Sequence, residues 1–196
     1  MSTSEYFFML TTIIFDFDGV FTKDEYRCMR RICADEKLLE TLESPYYIRP
    51  SSTQLWSDLR NAFHFTQSDQ EAIDLYNLED DEQRAYKLEM LAYAKSLVGK
   101  FSLFLLSNQV TDRTSFLRRN EDLSMFDAVF FSDELALRKP DLQVYKEVLI
   151  RTKKQASECL FVDDCQENIL AAKKVGMNIH LFKDCESLSL QLATLT

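Results

Sequence analysis

Ile13-Ile14-Phe15-Asp16-Phe17-Asp18-Gly19 is the stretch that decides the fold. Its apolar beginning reads as a buried strand, which ends abruptly in two carboxylates spaced i, i+2 and then a glycine. Successive strand residues point to opposite faces. Past the strand end the chain can curl, so both carboxylates can line one pocket. Two acids this close repel each other unless a cation lies between them or one keeps a proton. The pair therefore predicts a metal site or a nucleophile with a partner acid. The alternative is a strand that simply runs into an acidic turn.

Apolar runs bounded by polar residues occur at Thr12–Phe15, Leu103–Leu106, Ala128–Phe131, Cys159–Val162 and Ile179–Phe182. Between them lie stretches of helical period. Leu142, Tyr145, Val148 and Leu149 follow Pro140-Asp141, a helix start, and Ile169, Ala172 and Val175 stop at Gly176, a helix end. Ala85, Leu88, Leu91 and Ala92 mark a third helix running toward Gly99. Strands alternating with helices of this length predict an α/β fold, a doubly wound parallel sheet.

Residues 23–80 break that rhythm. They read as a charged helical stretch from Lys23 to Glu43, a loop over Ser44–Ser52, and shorter helices near Thr53–Phe63 and Ser68–Leu78. The pattern predicts a small all-helical insertion over 23–80, with the core formed by 1–22 and 81–196. Only three glycines are present, and no GxGxxG or Walker-type loop can be built from them, which argues against dinucleotide binding.

The chain has 196 residues, 46% of them apolar, which suits one core with a modest insertion. A formal charge of −9 argues against nucleic acid as a partner. It leaves room for a small anionic substrate, because a local lysine or metal outweighs the global field. Cys28, Cys33, Cys159, Cys165 and Cys185 form no CxxC pair, and an odd count fits reduced thiols in the cytoplasm. The apolar residues from Tyr6 to Leu10 follow Glu5 and lack a basic flank, unlike a signal peptide. No segment is apolar enough for a bilayer span, so no membrane partner is expected. Nothing in the sequence sets an oligomeric state.

Polar residues sit at the ends of these runs. The first ends in Asp16 and Asp18, the second in Ser107-Asn108-Gln109, and the fourth in Asp163-Asp164. After the third come Ser132-Asp133 and then Arg138-Lys139-Pro140-Asp141. Open parallel sheets bind ligands outside the carboxyl ends of their strands. Asp16, Asp18, Ser107, Lys139, Asp163 and Asp164 are thereby expected around one crevice.

Their order resembles the four motifs of the haloacid dehalogenase superfamily. Asp16-Phe17-Asp18-Gly19 is similar to the first motif, Ser107-Asn108 to the second, Lys139-Pro140 to the third and Asp163-Asp164 to the fourth. The flanks Val144-Tyr145, Phe161-Val162, Gln166 to Ile169, Ala171-Ala172 and Gly176-Met177 match as well. The resemblance covers roughly Thr12–Val20 and Glu82–Phe182. It implies a Rossmann-like core with a small helical cap, like that of the branch containing dehalogenases, phosphoglucomutases and the phosphatase domain of soluble epoxide hydrolases. Two departures stand out: Val20 occupies a place commonly held by threonine, with Thr22 slightly later, and Asp163 replaces a frequent glycine.

The resemblance implies a phosphatase acting on a small phosphorylated metabolite through an aspartyl-phosphate. Asp16 would be the nucleophile, and Asp18 the acid and then the base. Ser107, Asn108 and Lys139 would hold phosphoryl oxygens. Magnesium would be bound by Asp16, the Asp18 main-chain carbonyl and Asp164, with Asp163 behind or as an alternative ligand. Dehalogenases lack a carboxylate at the position of Asp18, because a halide leaves without a proton. A phosphomutase or phosphotransferase of the same superfamily is an alternative, as is a non-catalytic regulatory binding protein on this fold. A phospho-accepting receiver domain arranges its acids in a different order.

Other residues read as structural. His64 and His180 are isolated, and Trp56 with Leu55 and Leu59 packs the insertion. Cys165 has no thiol role in the resembling family. Arg27, Arg30 and Arg31 suit a solvated face, or a grip on an anionic substrate if they meet the crevice. The Tyr46-Tyr47-Ile48-Arg49 loop is the other segment expected near the substrate.

Overall fold

A computed structural model describes residues 9–22, 29–78 and 81–195. Its strands are β1 (Thr12–Phe15), β2 (Ser102–Ser107), β3 (Ala128–Phe131), β4 (Cys159–Asp163) and β5 (Asn178–Leu181). All pair in parallel in the order β3-β2-β1-β4-β5. The apolar runs locate every strand, and the edges move by a residue because Ser102, Ser107, Asp163 and Asn178 also join the ladders. Between β1 and β2 come α1 (Glu36–Glu43), α2 (Thr53–Phe63), α3 (Asp69–Tyr76) and α4 (Asp81–Lys95). Then α5 (Thr111–Asn120) follows β2, α6 (Ser132–Leu135) and α7 (Leu142–Thr152) follow β3, α8 (Gln166–Val175) follows β4, and α9 (Cys185–Leu195) follows β5.

The two-residue period of the strands divides the core. Ile13, Phe15, Leu103, Leu105, Leu160 and Val162 pack one face of the sheet against Met90 and Ala94 of α4, Leu117 of α5, and Leu188 and Leu192 of α9. Ile14, Phe104, Leu106 and Phe161 pack the other face against Val144 and Val148 of α7, and Ile169 and Ala172 of α8. Helices on both faces make the sheet doubly wound. Strand order reverses beside β1, between β2 and β4, where such sheets open a crevice.

The helices between β1 and α4 have an apolar cluster of their own, including Met29, Leu39, Tyr47, Leu55, Trp56, Leu59, Phe65 and Tyr76, joined by Val110 from the end of β2. α2 matches its expected span. The single helix expected from Lys23 to Glu43 does not form in the described residues. A short 3₁₀ turn, Met29–Arg31, is separated from α1 by residues 32–35. The Asp35 side chain accepts from Leu38 N at 3.0 Å, an N-cap that starts a new helix and so divides the stretch. Arg27 lies outside the described residues, and Arg31 is exposed. The Ser44–Ser52 loop begins as a 3₁₀ turn, Ser44–Ile48. Ser68 is the N-cap of α3, in a capping box with Glu71. The third expected helix ends at Lys95 rather than Gly99, whose φ of 81° instead serves the turn into β2. Gly176 ends α8 with φ 96°, as its position suggested. No helix among the described residues is long and apolar enough to cross a membrane.

Candidate active site

β1 ends one residue before Asp16, whose main-chain N–H donates to Val162 O of β4 at 2.9 Å. This bond sets Asp16 at the carboxyl edge of the sheet. Its Oδ1 accepts from Phe17 N at 2.7 Å and pairs with Lys139 Nζ at 2.7 Å. Among the described residues no donor holds Oδ2. Lys139 Nζ reaches Asp163 Oδ2 at 2.7 Å as well, so one ammonium joins two carboxylates from neighbouring strands. Asp163 is fully buried, and its oxygens also accept from Cys165 N (2.8 Å) and Asn168 Nδ2 (3.0 and 3.1 Å). The Asn108 side chain grips the Lys139 main chain at both ends, Nδ2 to O at 3.0 Å and Lys139 N to Oδ1 at 2.9 Å. The Asn108 side chain thus holds the lysine main chain in place.

Charge in this cluster is unbalanced. Asp16, Asp163 and Asp164 each offer an oxygen within 4.8 Å of the others, against the single Lys139. Burial pushes the Asp16 carboxyl well above its usual range. Lys139 opposes that rise and Asp163 adds to it. Partial desolvation, and then the charge of Asp163, raise Asp164 too. Burial alone would lower the Lys139 ammonium. The charges of Asp16 and Asp163 outweigh it, so Lys139 is raised and stays protonated at neutral pH. A site holding more negative charge than its lysine can neutralise takes up a proton or a hard cation. Asp164 lies against Gly19, where a Cβ would overlap its carboxylate. Gly19 also has φ 79°, so a side chain is disfavoured there on two counts.

Asp18 is held quite differently. Gln109 Nε2 donates to its Oδ2, Thr22 Oγ1 donates to its Oδ1 at 3.3 Å, and Arg113 Nη2 lies 3.9 Å from Oδ1. Thr22 Oγ1 also accepts from Gly19 N at 3.2 Å, while Val20 is buried in the core. The displaced threonine thus braces the first motif. Arg113 also donates to Asn77 Oδ1 at 3.2 Å, linking Asp18 to the end of α3. Asp112 accepts from Ser52 Oγ at 2.5 Å and Trp56 Nε1 at 2.6 Å. Thr111 Oγ1 donates to Arg49 O at 3.1 Å, and Arg138 Nη1 to Ser44 O at 2.8 Å. The helices between β1 and α4 are thereby seated on the start of α5 and the segment before α7. Ser107, almost fully buried, accepts from Gln109 Nε2 at 2.9 Å.

The expected residues Asp16, Lys139, Asp163 and Asp164 come together, with Ser107 and Asp18 joined to one another through Gln109. Sequence reasoning missed Gln109, Arg113 and Asn168 as participants. Asn168 belongs to a flank that resembles the fourth motif, a signal that was available. Gln109 stands in the polar group that ends the second run, and Arg113 carries no such signal. His64 closes α2 with φ 54°, and His180 is bound to Gln191, so neither histidine enters the site. Cys165 is exposed and contributes its main-chain N–H to Asp163. Trp56 packs the helical cluster as expected.

A sequence profile described as haloacid dehalogenase-like hydrolase matches residues 10–176. The sesquiterpene phosphatase astK of Aspergillus oryzae is 47% identical over 58 residues, which cover 29% of this chain and 30% of that protein. The chain spans less than a third of the length of the curated relatives it matches. A predicted HAD-like family hydrolase from Porphyromonas gingivalis superimposes with a TM-score of 0.75 at 22% identity, over 94% of this chain and 98% of that one. A HAD family enzyme from Bacteroides thetaiotaomicron, in complex with magnesium and inorganic phosphate, gives 0.71 at 20% identity, over 89% and 94%. At such identities these likenesses speak for the fold.

Proposed function

This chain belongs to the haloacid dehalogenase-like hydrolases, and from that premise we propose that it is a magnesium-dependent phosphatase of a small phosphorylated metabolite. One observation carries the reading: two carboxylates two residues apart are held for different tasks. Asp16 is fixed against Lys139 with Oδ2 free of donors among the described residues, as a nucleophile requires. Asp18 is held apart from that lysine by Gln109 and Thr22, where it can move a proton. An alkoxide leaving group needs that proton. The phosphatase named among the relatives supports the same reading.

In the proposed reaction Asp16 Oδ2 attacks phosphorus while the bond to the leaving oxygen breaks, and Asp18 gives that oxygen its proton. Asp18 then takes a proton from water. The water oxygen attacks phosphorus, the bond to Asp16 breaks, and inorganic phosphate leaves. Lys139 remains protonated beside Asp16 and offsets the charge of the transferring group. The Ser107 hydroxyl donates to a phosphoryl oxygen.

The residues fit magnesium, since clustered carboxylate oxygens are the donors that a hard cation takes. Asp16, Asp164 and the Asp18 main-chain carbonyl would hold it, and Asp163, already bonded to Lys139 and Asn168, would stand behind them. When bound, magnesium would reduce the repulsion between nucleophile and phosphate. The helical segment over 23–80 would act as a cap on the core formed by 1–22 and 81–196, closing water out of the crevice.

The test is phosphate release from a panel of sugar, alkyl and prenyl phosphates, with magnesium and with chelator. Release is expected from at least one, and only with magnesium. No release from any of them would sink the proposal.

A further inference from the structure

Gln109 is fully buried, and its side-chain amide donates to two side chains of the crevice. One N–H of its Nε2 meets Asp18 Oδ2, and the other meets Ser107 Oγ at 2.9 Å. Its Oε1 is buried with no donor among the described residues. With Asp18 ionised, the opposite amide orientation would set a carbonyl oxygen against its carboxylate, acceptor against acceptor, so the orientation with Nε2 toward Asp18 is the favoured one in that state. A buried amide that leaves its own acceptor unmatched is a poor way to stabilise a fold.

The main chain on either side explains how the residue is kept there. Gln109 N donates to Ser132 Oγ at 2.9 Å, and Ser132 Oγ donates to Gln109 O at 3.3 Å. Next in sequence, Val110 is anchored in the apolar cluster of the helical segment. The main chain of Gln109 and its neighbour Val110 are thus both held in place.

We infer that Gln109 is a positioning residue that aims Asp18 and Ser107 together. The purpose of the aiming rests on the phosphatase reading above. Because Ser107 Oγ accepts from Gln109, its own hydrogen must point elsewhere and is available to a phosphoryl oxygen. Because Asp18 is drawn to the same amide, its carboxyl stands a fixed distance from that hydroxyl. One carboxamide sets the spacing between the group that binds the phosphoryl oxygen and the group that protonates the leaving oxygen.

Gln109→Met keeps the length and volume of the side chain while removing both donors and the orphaned acceptor. Phosphate release from an alkyl phosphate is expected to fall about a hundredfold, as when general acid catalysis is lost. Release from an aryl phosphate with a good leaving group should fall far less. In crystals of the variant, Asp18 and Ser107 should take other rotamers. Gln109→Leu, which likewise removes both donors, serves if the methionine variant fails to fold, with the same alkyl-over-aryl loss expected. Equal losses on the two substrates would overturn the inference, as would unmoved Asp18 and Ser107 side chains. If the unaltered protein released phosphate from neither substrate, the phosphatase reading would fail, and the rotamers alone, which need no turnover, would still decide whether Gln109 positions the pair.

Discussion

Asp16 and Asp18 are neighbours in sequence, yet the two sides of the crevice they occupy are built on opposite plans. The Asp16 side is made by the sheet: β1, β4 and the turn before α7 bring Asp16, Asp163 and Lys139 into direct ion pairs, with Asn108 and Asn168 locking them. The Asp18 side is made by contacts between separate segments, through Gln109, Thr22 and Arg113, and Arg113 reaches on to Asn77 at the end of α3. Strand ends are rigid, so they suit a nucleophile that must not move. Bonds to side chains from separate segments would suit a group that, in the proposed reaction, changes its protonation state twice in each cycle.

The most severe way to break the contrast is Asp16→Asn. Turnover should fall by about ten-thousandfold or more with the fold intact, since a carboxamide is a poor nucleophile. Retention of a tenth of the activity in steady-state assays would put the nucleophile elsewhere. Asp18→Asn should cost roughly a hundred- to ten-thousandfold with alkyl phosphates and much less with aryl phosphates. Comparing leaving groups in that variant isolates the proton-transfer role, and identical losses would remove it.

The adjacent acids of β4 sharpen the same comparison. Asp163→Ala should destabilise the protein by about 3–5 kcal/mol in urea unfolding, because it takes one partner from a buried ion pair. Asp164→Ala should change stability little while raising the magnesium needed for half-maximal activity. The reverse ranking would mean that Asp163 is the direct ligand.

Acid and metal should substitute for one another on the Asp16 side. Asp16 and Asp164 both have raised values, so between the unfolded value near 3.8 and the folded one the folded state binds more protons. Stability from these groups is therefore present at low pH and lost as pH rises through the folded values. Melting curves of chelated protein should show this decline. Added magnesium should raise the midpoint more at neutral pH than in acid, and equal rises would argue against a cation in the cluster.

The smallest effect is expected in the helical unit. Arg49 is exposed, with its guanidinium 4.7 Å from the centre of the Tyr46 ring. Arg49→Ala should alter the ranking of natural substrates a few-fold while sparing a generic aryl phosphate. A uniform fall across substrates would mark the loop as support.

The sequence by itself determined the parallel sheet and the acids at its carboxyl edge. Strand burial writes apolar runs into the chain, and the residues that end those runs must emerge at the edge where a crevice opens. Hence Asp16, Ser107, Asp163 and the nearby Lys139 were legible from local pattern alone. The break at Asp35 was not anticipated, since a charged helical stretch does not reveal that one of its acids will cap a new helix. The pairing of Gln109 could not be found that way either: its partner Asp18 lies 91 positions away, and no periodicity encodes it. Arg113 and Asn77, 36 positions apart, are hidden for the same reason. Between Asp163 and Asp164 local pattern shows only that alternating side chains diverge, and the resemblance implies Asp164 at the metal with Asp163 behind it. Packing decided which one turns inward to Lys139 and which lies over Gly19, because only the folded chain sets the lysine on one side of β4 and the glycine turn on the other.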